Sequence, residues 1–179
     1  MKKRVFIAID IPKEARREII KIQDSLPEFN GKKTESENLH LTLKFLGEVD
    51  SNDVEKVKEK LRKIKVKGFE GEINKLGVFD NTYNDAIIIW LHLTNCEKLQ
   101  QDIDNSLSDL FAPEKRFMSH LTIARVKSVK DKNMFLNEIE KIKFDKIRFK
   151  VKNFKLKQSI LTRNGSVYED LEVYDLTSK

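Results

Sequence analysis

The phrase His-Leu-Thr followed by a branched apolar residue occurs twice in this chain, as His40-Leu41-Thr42-Leu43 and His120-Leu121-Thr122-Ile123, although the 179 residues contain only three histidines. In an extended strand, residues i and i+2 share a face. Each copy therefore offers an imidazole and a hydroxyl on one side and two aliphatic side chains on the other, a strand with a core behind it and a polar surface in front. A lone histidine on an apolar strand is most simply a core residue satisfied by a backbone carbonyl. A whole tetrapeptide repeated 80 residues apart calls for a fold that uses two such strands.

The surroundings repeat as well. Residues 4–10, RVFIAID, read as a strand, and Pro12 opens the amphipathic helix of PKEARREIIKIQDSL as its first helical residue. Residues 85–111 follow the same plan: an apolar strand, Thr94 or Asn95 as a cap, then a helix with Leu99, Ile103, Leu107 and Leu110 on one face. Ile9 precedes His40 by 31 residues and Leu91 precedes His120 by 29. A second helix follows each motif, from 51 and from 131, and strand-like runs follow both. In the second half those runs turn at Asn164-Gly165, a strong hairpin signal. The expected fold is α+β, a bilobal duplication of two pseudo-twofold-related antiparallel sheets with outer helices around a central cleft. It is expected as one domain over 1–179, its two lobes being sequence halves of roughly 1–84 and 85–179, with each half supplying one wall of the cleft.

Composition narrows the partners. Lys and Arg exceed Asp and Glu by 35 to 29, a net charge of +6, which favours anionic ligands and nucleic acid first. Cys96 is the single cysteine, so no intrachain disulfide can form and a reducing, cytoplasmic setting is expected. The N-terminal apolar run is broken at Asp10 and Pro12, too short for a signal peptide or a membrane span, so no membrane partner is expected. A monomer is expected.

Two imidazoles facing one another have the makings of in-line displacement at phosphorus. A neutral one takes a proton from the attacking water and a protonated one gives a proton to the departing oxygen. Thr42 and Thr122 would hold the non-bridging oxygens. No cofactor is called for, since the chain has no HExxH, no CxxC and no Gly-rich phosphate loop. A zinc site would have to combine His40, His120, His92 and Cys96. His92-x3-Cys96 spans a strand end and a helix start, and His92 is more simply a strand-face residue beside Trp90.

At these residues the chain resembles the two-histidine (2H) phosphoesterases, specifically the RNA 2′,3′-cyclic phosphodiesterases also called 2′-5′ RNA ligases (LigT/ThpR type). The resemblance runs the length of the sequence: RVFIAIDIP at the start, HLTLKFLGEV from 40, GVF at 77–79, HLTIARV from 120 and LKQSIL near the end. It implies a bilobal α+β fold with a basic central cleft, and metal-independent hydrolysis of RNA 2′,3′-cyclic phosphate ends to 2′-phosphates, with reverse 2′-5′ ligation of molecules such as tRNA halves as a second activity. RNA ends or nucleoside 2′,3′-cyclic phosphates would be the substrates. His40 and Thr42 match its first motif; His120, Thr122 and Arg125 match its second. His40 is assigned as the acid that protonates O3′ and His120 as the base that activates water, roles that ligation would exchange.

Strand parity raises two further points. Arg125 points away from His120 and Thr122 on a regular strand, so a phosphate-binding role requires a bulge or the strand's end. Lys44 shares the face of His40 and Thr42 and is a candidate substrate contact, whereas the same parity turns Phe45 away. Phe6, Phe79, Phe117 and Tyr168 lie near predicted cleft elements and could stack on bases. Two other readings stay open: a non-catalytic RNA-binding protein on the same fold, and a phosphodiesterase for another cyclic or oligonucleotide phosphoester.

Overall fold

The computed structural model describes residues 2–80, 86–163 and 165–177. In chain order the elements are β1 (Lys2–Asp10), α1 (Lys13–Asp24), β2 (Asn30–Lys33), β3 (His40–Asp50), α2 (Ser51–Leu61), β4 (Phe69–Asp80), β5 (Ile87–Leu93), α3 (Glu97–Ser106), β6 (Leu121–Ser128), α4 (Lys132–Lys141), β7 (Ile147–Val151), β8 (Asn153–Thr162) and β9 (Gly165–Asp175), with a 3-10 turn at Ser36–Asn38. They form two antiparallel sheets, ordered β3-β1-β8-β9 and β2-β6-β5-β4-β7.

Each sheet draws strands from both sequence halves. The motif strand β3 pairs with β1, and β6 pairs with β5, as the duplication predicts. The third strand of each repeat crosses over: β4, from the first half, pairs with β5, while β8, from the second, pairs with β1. The helices cross as well, for α1 packs against β6 and β7 and α3 against β3. The order β3-β1-β8 thus mirrors β6-β5-β4, with each half closing the other's sheet.

The central strands β1 and β5 are buried on both faces over most of their length, which is why their apolar runs alternate poorly. Ile19 and Ile22 of α1 and Leu99 and Ile103 of α3 fill the outer layers, each such side chain contributing about 1.5–3 kcal/mol of burial. Pro12 stands at the N-cap of α1, one residue outside the expected position. Neither Thr94 nor Asn95 caps α3: Cys96 occupies that position, while Asn95, at φ +67°, donates to the Glu70 carbonyl and the Thr94 hydroxyl accepts from the Glu72 N–H. Asp131 caps α4, accepting from the Met134 N–H at 2.9 Å. The expected hairpin joins β8 and β9 through the pair Thr162 and Gly165; Asn164 of the expected turn lies outside the described residues.

Candidate active site

The exchange of strands brings the two motifs face to face. His40 begins β3 and His120 immediately precedes β6, and both line a cleft of about 590 Å³ between the sheets together with Thr42, Thr122 and Arg125. The two imidazoles are held in the same way. Nδ1 of His40 donates to the carbonyl of Asn38 at 2.7 Å, and Nδ1 of His120 donates to the carbonyl of Met118 at 2.8 Å, in each case two residues upstream. A carbonyl can only accept, so Nδ1 carries the hydrogen and Nε2 is the atom left for chemistry, free to accept when the ring is neutral and to donate when it is charged.

The surroundings of the two rings differ. His40 packs against Phe6 and Tyr168, ring centroids 5.1 and 5.0 Å away, while His120 meets the edge of Phe79 at 5.2 Å. Burial pushes the His40 imidazole below its ordinary value, against the opposing effects of the Asn38 carbonyl and the Asp10 carboxylate. Asp10 lies opposite His40 in the strand register and belongs to a group that sequence patterning missed. Lys157 reaches Asp10 at 3.0 Å and Asp170 at 2.6 Å, and Lys155 reaches the same two carboxylates at 2.7 and 2.6 Å. These charges come from three strands, β1, β8 and β9, whose register no local pattern reveals.

Both motif strands bulge just past the threonine. In β3, Ala8 faces Thr42 but Ile7 faces Lys44; in β6, Trp90 faces Thr122 but Ile89 faces Ala124. Leu43 and Ile123 are the extra residues, so Leu43-Lys44 and Ile123-Ala124 are buried as consecutive pairs and the following residue swings to the other face. The bulge in β6 is what the parity of Arg125 required, and it brings Arg125 into the cleft. The bulge in β3 overturns two expectations. Lys44 is not on the cleft face: its side chain is 4% exposed, paired with Asp104 of α3 and donating to the Ala112 carbonyl at 2.8 Å. Phe45 takes the cleft position instead, 67% exposed beside Phe6 at a centroid distance of 5.9 Å. Phe45 and Arg125 are therefore counterparts, each the third residue after its threonine. Phe117 packs on the core.

His92 and Cys96 serve the approach to His120. Nδ1 of His92 donates to the Ser119 carbonyl at 3.0 Å, and the Cys96 thiol lies 3.3 Å from the Ser119 hydroxyl. Burial raises that thiol to about 11. Among the described residues no three His, Cys, Asp or Glu side chains are grouped so as to hold a metal ion, and no helix is long and apolar enough to cross a membrane.

A family model described as LigT-like phosphoesterase matches residues 9–90 and 93–168. The RNA 2′,3′-cyclic phosphodiesterase of Methanocaldococcus jannaschii is 40% identical over 171 residues, covering 93% of this chain and 96% of that protein. The protein of the same name from Thermotoga maritima is 36% identical over 177 residues, covering 94% and 92%. Among solved structures, Escherichia coli LigT in apo form matches with a TM-score of 0.78 at 24% identity over 98% of both chains, and LigT complexed with 3′-AMP with 0.79 at 23% over 99% of both. These structural likenesses establish the fold.

Proposed function

The chain belongs to the LigT-like phosphoesterase family, and from that premise we propose that it is an RNA 2′,3′-cyclic phosphodiesterase whose two histidines act as acid and base on one phosphorus. The observation that carries this reading is the matched pair of Nδ1–carbonyl bonds, which fixes both rings with Nε2 as the reactive atom in a single cleft. Water attacks phosphorus in line with O3′. As the P–O bond to water forms, one neutral imidazole takes the water proton; as the P–O3′ bond breaks, the other, protonated, gives its proton to O3′. The product is a 2′-phosphate with a free 3′-hydroxyl. Thr42 and Thr122 donate to the non-bridging oxygens, and Arg125 balances the charge that grows there.

The unequal surroundings of the rings favour an order of roles. Burial beside Phe6 and Tyr168 inclines His40 to its neutral form, which suits the base, and leaves the more open His120 to protonate O3′. This order is the reverse of the sequence-based assignment, for which the duplication offered no asymmetry. Ligation of a 5′-hydroxyl to a cyclic phosphate, with tRNA halves as one substrate class, is the same displacement with a ribose hydroxyl exchanged for water. We take the protein to work as a cytoplasmic monomer on RNA ends and nucleoside 2′,3′-cyclic phosphates.

The decisive experiment incubates the protein with an oligoribonucleotide ending in a 2′,3′-cyclic phosphate, in excess EDTA, and identifies the product by ³¹P NMR. A 2′-phosphate is expected. A 3′-phosphate, or turnover that only an added metal restores, would overturn the mechanism, and tight binding without turnover would favour the non-catalytic reading.

A further inference from the structure

We propose that Gln23, on the far side of β6 from the cleft, is a positioning residue for Arg125 and acts through the bulge at Ile123. The side chain of Gln23 is buried at the C-terminal end of α1, and its Nε2 donates to two backbone carbonyls, Thr34 and Ile123, each at 2.8 Å. Ile123 is the residue that the bulge leaves without a cross-strand partner in β5, and its carbonyl is turned to the β2 edge of β6, where Gln23 meets it. The Thr34 N–H supplies a second bond to it at 2.8 Å, and the Thr34 hydroxyl donates to the Thr122 carbonyl at 2.9 Å. The chain just before Thr34 presses on the same feature. Gly31 runs so close to β6 that a Cβ there would stand 2.3 Å from the Arg125 carbonyl oxygen. The bulge decides whether residue 125 faces the core or the cleft, and Gln23 ties it to the chain at Thr34 with one amide hydrogen on each carbonyl.

The other lobe has a counterpart. Asp104, near the end of α3, holds the β3 bulge from behind by pairing with Lys44. Gln23 lies 17 residues ahead of His40, and Asp104 16 ahead of His120. Each helix has crossed to the opposite lobe, so each half locks the bulge in the other half's motif, once with an amide on a carbonyl and once with a carboxylate on a lysine.

The kinetic part of the test rests on the cyclic phosphodiesterase reading; the exchange part does not. Gln23→Met keeps length and apolar volume while removing both donors. With a cyclic-phosphate-ended oligoribonucleotide, it should raise KM about tenfold per folded molecule, and in an Arg125→Ala background it should add less than about twofold, because the group it positions is gone. In a Phe45→Ala background, across the cleft, its cost should remain whole. Ile19→Ala, equally buried on α1, should lower the denaturation midpoint but leave KM unchanged. Amide exchange then reads the lock without substrate: protection of the Thr34 and Arg125 N–H groups should fall in Gln23→Met and hold in Ile19→Ala. Multiplicative losses for Gln23→Met and Arg125→Ala, or unchanged exchange at Thr34 and Arg125, would overturn the proposal. A wild-type protein inactive on the oligonucleotide would refute the activity reading, and the exchange data would still decide the lock.

Discussion

Replacing Lys44 by Met separates the two places a lysine at this position could occupy. Its side chain is 4% exposed and that of Asp104 is 9% exposed. Asp104 also accepts from the Glu114 N–H at 2.7 Å and from Gln100 Nε2 at 3.2 Å, so the substitution leaves a buried carboxylate with two donors but no counter-charge. Breaking a buried pair from one side costs about 3–5 kcal/mol, and the two surviving hydrogen bonds place this case near 3. With a urea dependence of about 2 kcal/mol per molar, the midpoint should fall by roughly 1.5 M. Adding Asp104→Leu should recover most of that loss, because the stranded charge is gone. The pH dependence has a definite sign. Burial alone would raise the Asp104 carboxyl, but its bonds to Lys44, Glu114 and Gln100 outweigh that and hold it below its ordinary value. A depressed carboxylate stabilises the fold at neutral pH, and the contribution disappears as pH falls through the folded value. The gap between wild type and Lys44→Met should therefore narrow below about pH 4. Equilibrium urea denaturation at several pH values, with kcat and KM measured on the folded fraction, tests all of this. An unchanged midpoint with KM raised and its salt dependence weakened would put Lys44 in the cleft and refute the bulge in β3.

The rate should be bell-shaped in pH, and Tyr168→Ala, by opening His40 to water, should move the acid limb of kcat/KM to higher pH. A substrate with sulfur bridging at the 3′ position needs no proton on its leaving group, so it should rescue His120→Ala far more than His40→Ala; the reverse result would restore the sequence-based order of roles. Thr42→Val and Thr122→Val should each cost about 2–4 kcal/mol in kcat/KM with unchanged melting, since each removes one donor to the phosphate. Arg125→Ala should flatten the salt dependence of substrate binding while Phe45→Ala weakens binding and leaves that slope alone, a difference that titrations at two ionic strengths would register.

The motifs, the helices and the hairpin were legible because each depends on neighbours in sequence. The bulges were half legible. In β6 the run Ile123-Ala124-Arg125-Val126 breaks the alternation of apolar and polar residues, and that break is the bulge. In β3 the run Leu41-Thr42-Leu43-Lys44 alternates without fault, so alternation assigns Lys44 to the cleft face, whereas the structure buries it against Asp104. The partner of Lys44 comes from a helix 60 residues away in sequence, and no pattern within the strand announces it. The crossing of β4, β8 and the helices was hidden for a different reason. A repeat that closes its own sheet and a repeat that closes its neighbour's have the same elements in the same order, and only the lengths and packing of the connections choose between them.

That crossing has a chemical consequence. Two identical motifs around a twofold axis would accept a cyclic phosphate in two orientations related by that axis, with acid and base exchanged, and attack in line with O2′ would then compete with attack in line with O3′. The backbone is close to such symmetry: the Nδ1–carbonyl bonds, the threonines and the bulges all recur. Besides the unequal packing around the two rings, the symmetry is broken at the residue each bulge turns inward, which is an aromatic ring in one motif and a guanidinium in the other. A nucleotide end is unsymmetrical in the same sense, with a flat base on one side of the ribose and an anionic phosphate on the other. On the mechanism proposed above, a base stacked on Phe45 and a phosphate paired with Arg125 would not both be held in the flipped orientation, so the pair should set which ribose oxygen leaves. On that mechanism, the duplication would provide a matched acid and base, and the difference after the bulge, together with the unequal surroundings of the two rings, would select one product isomer.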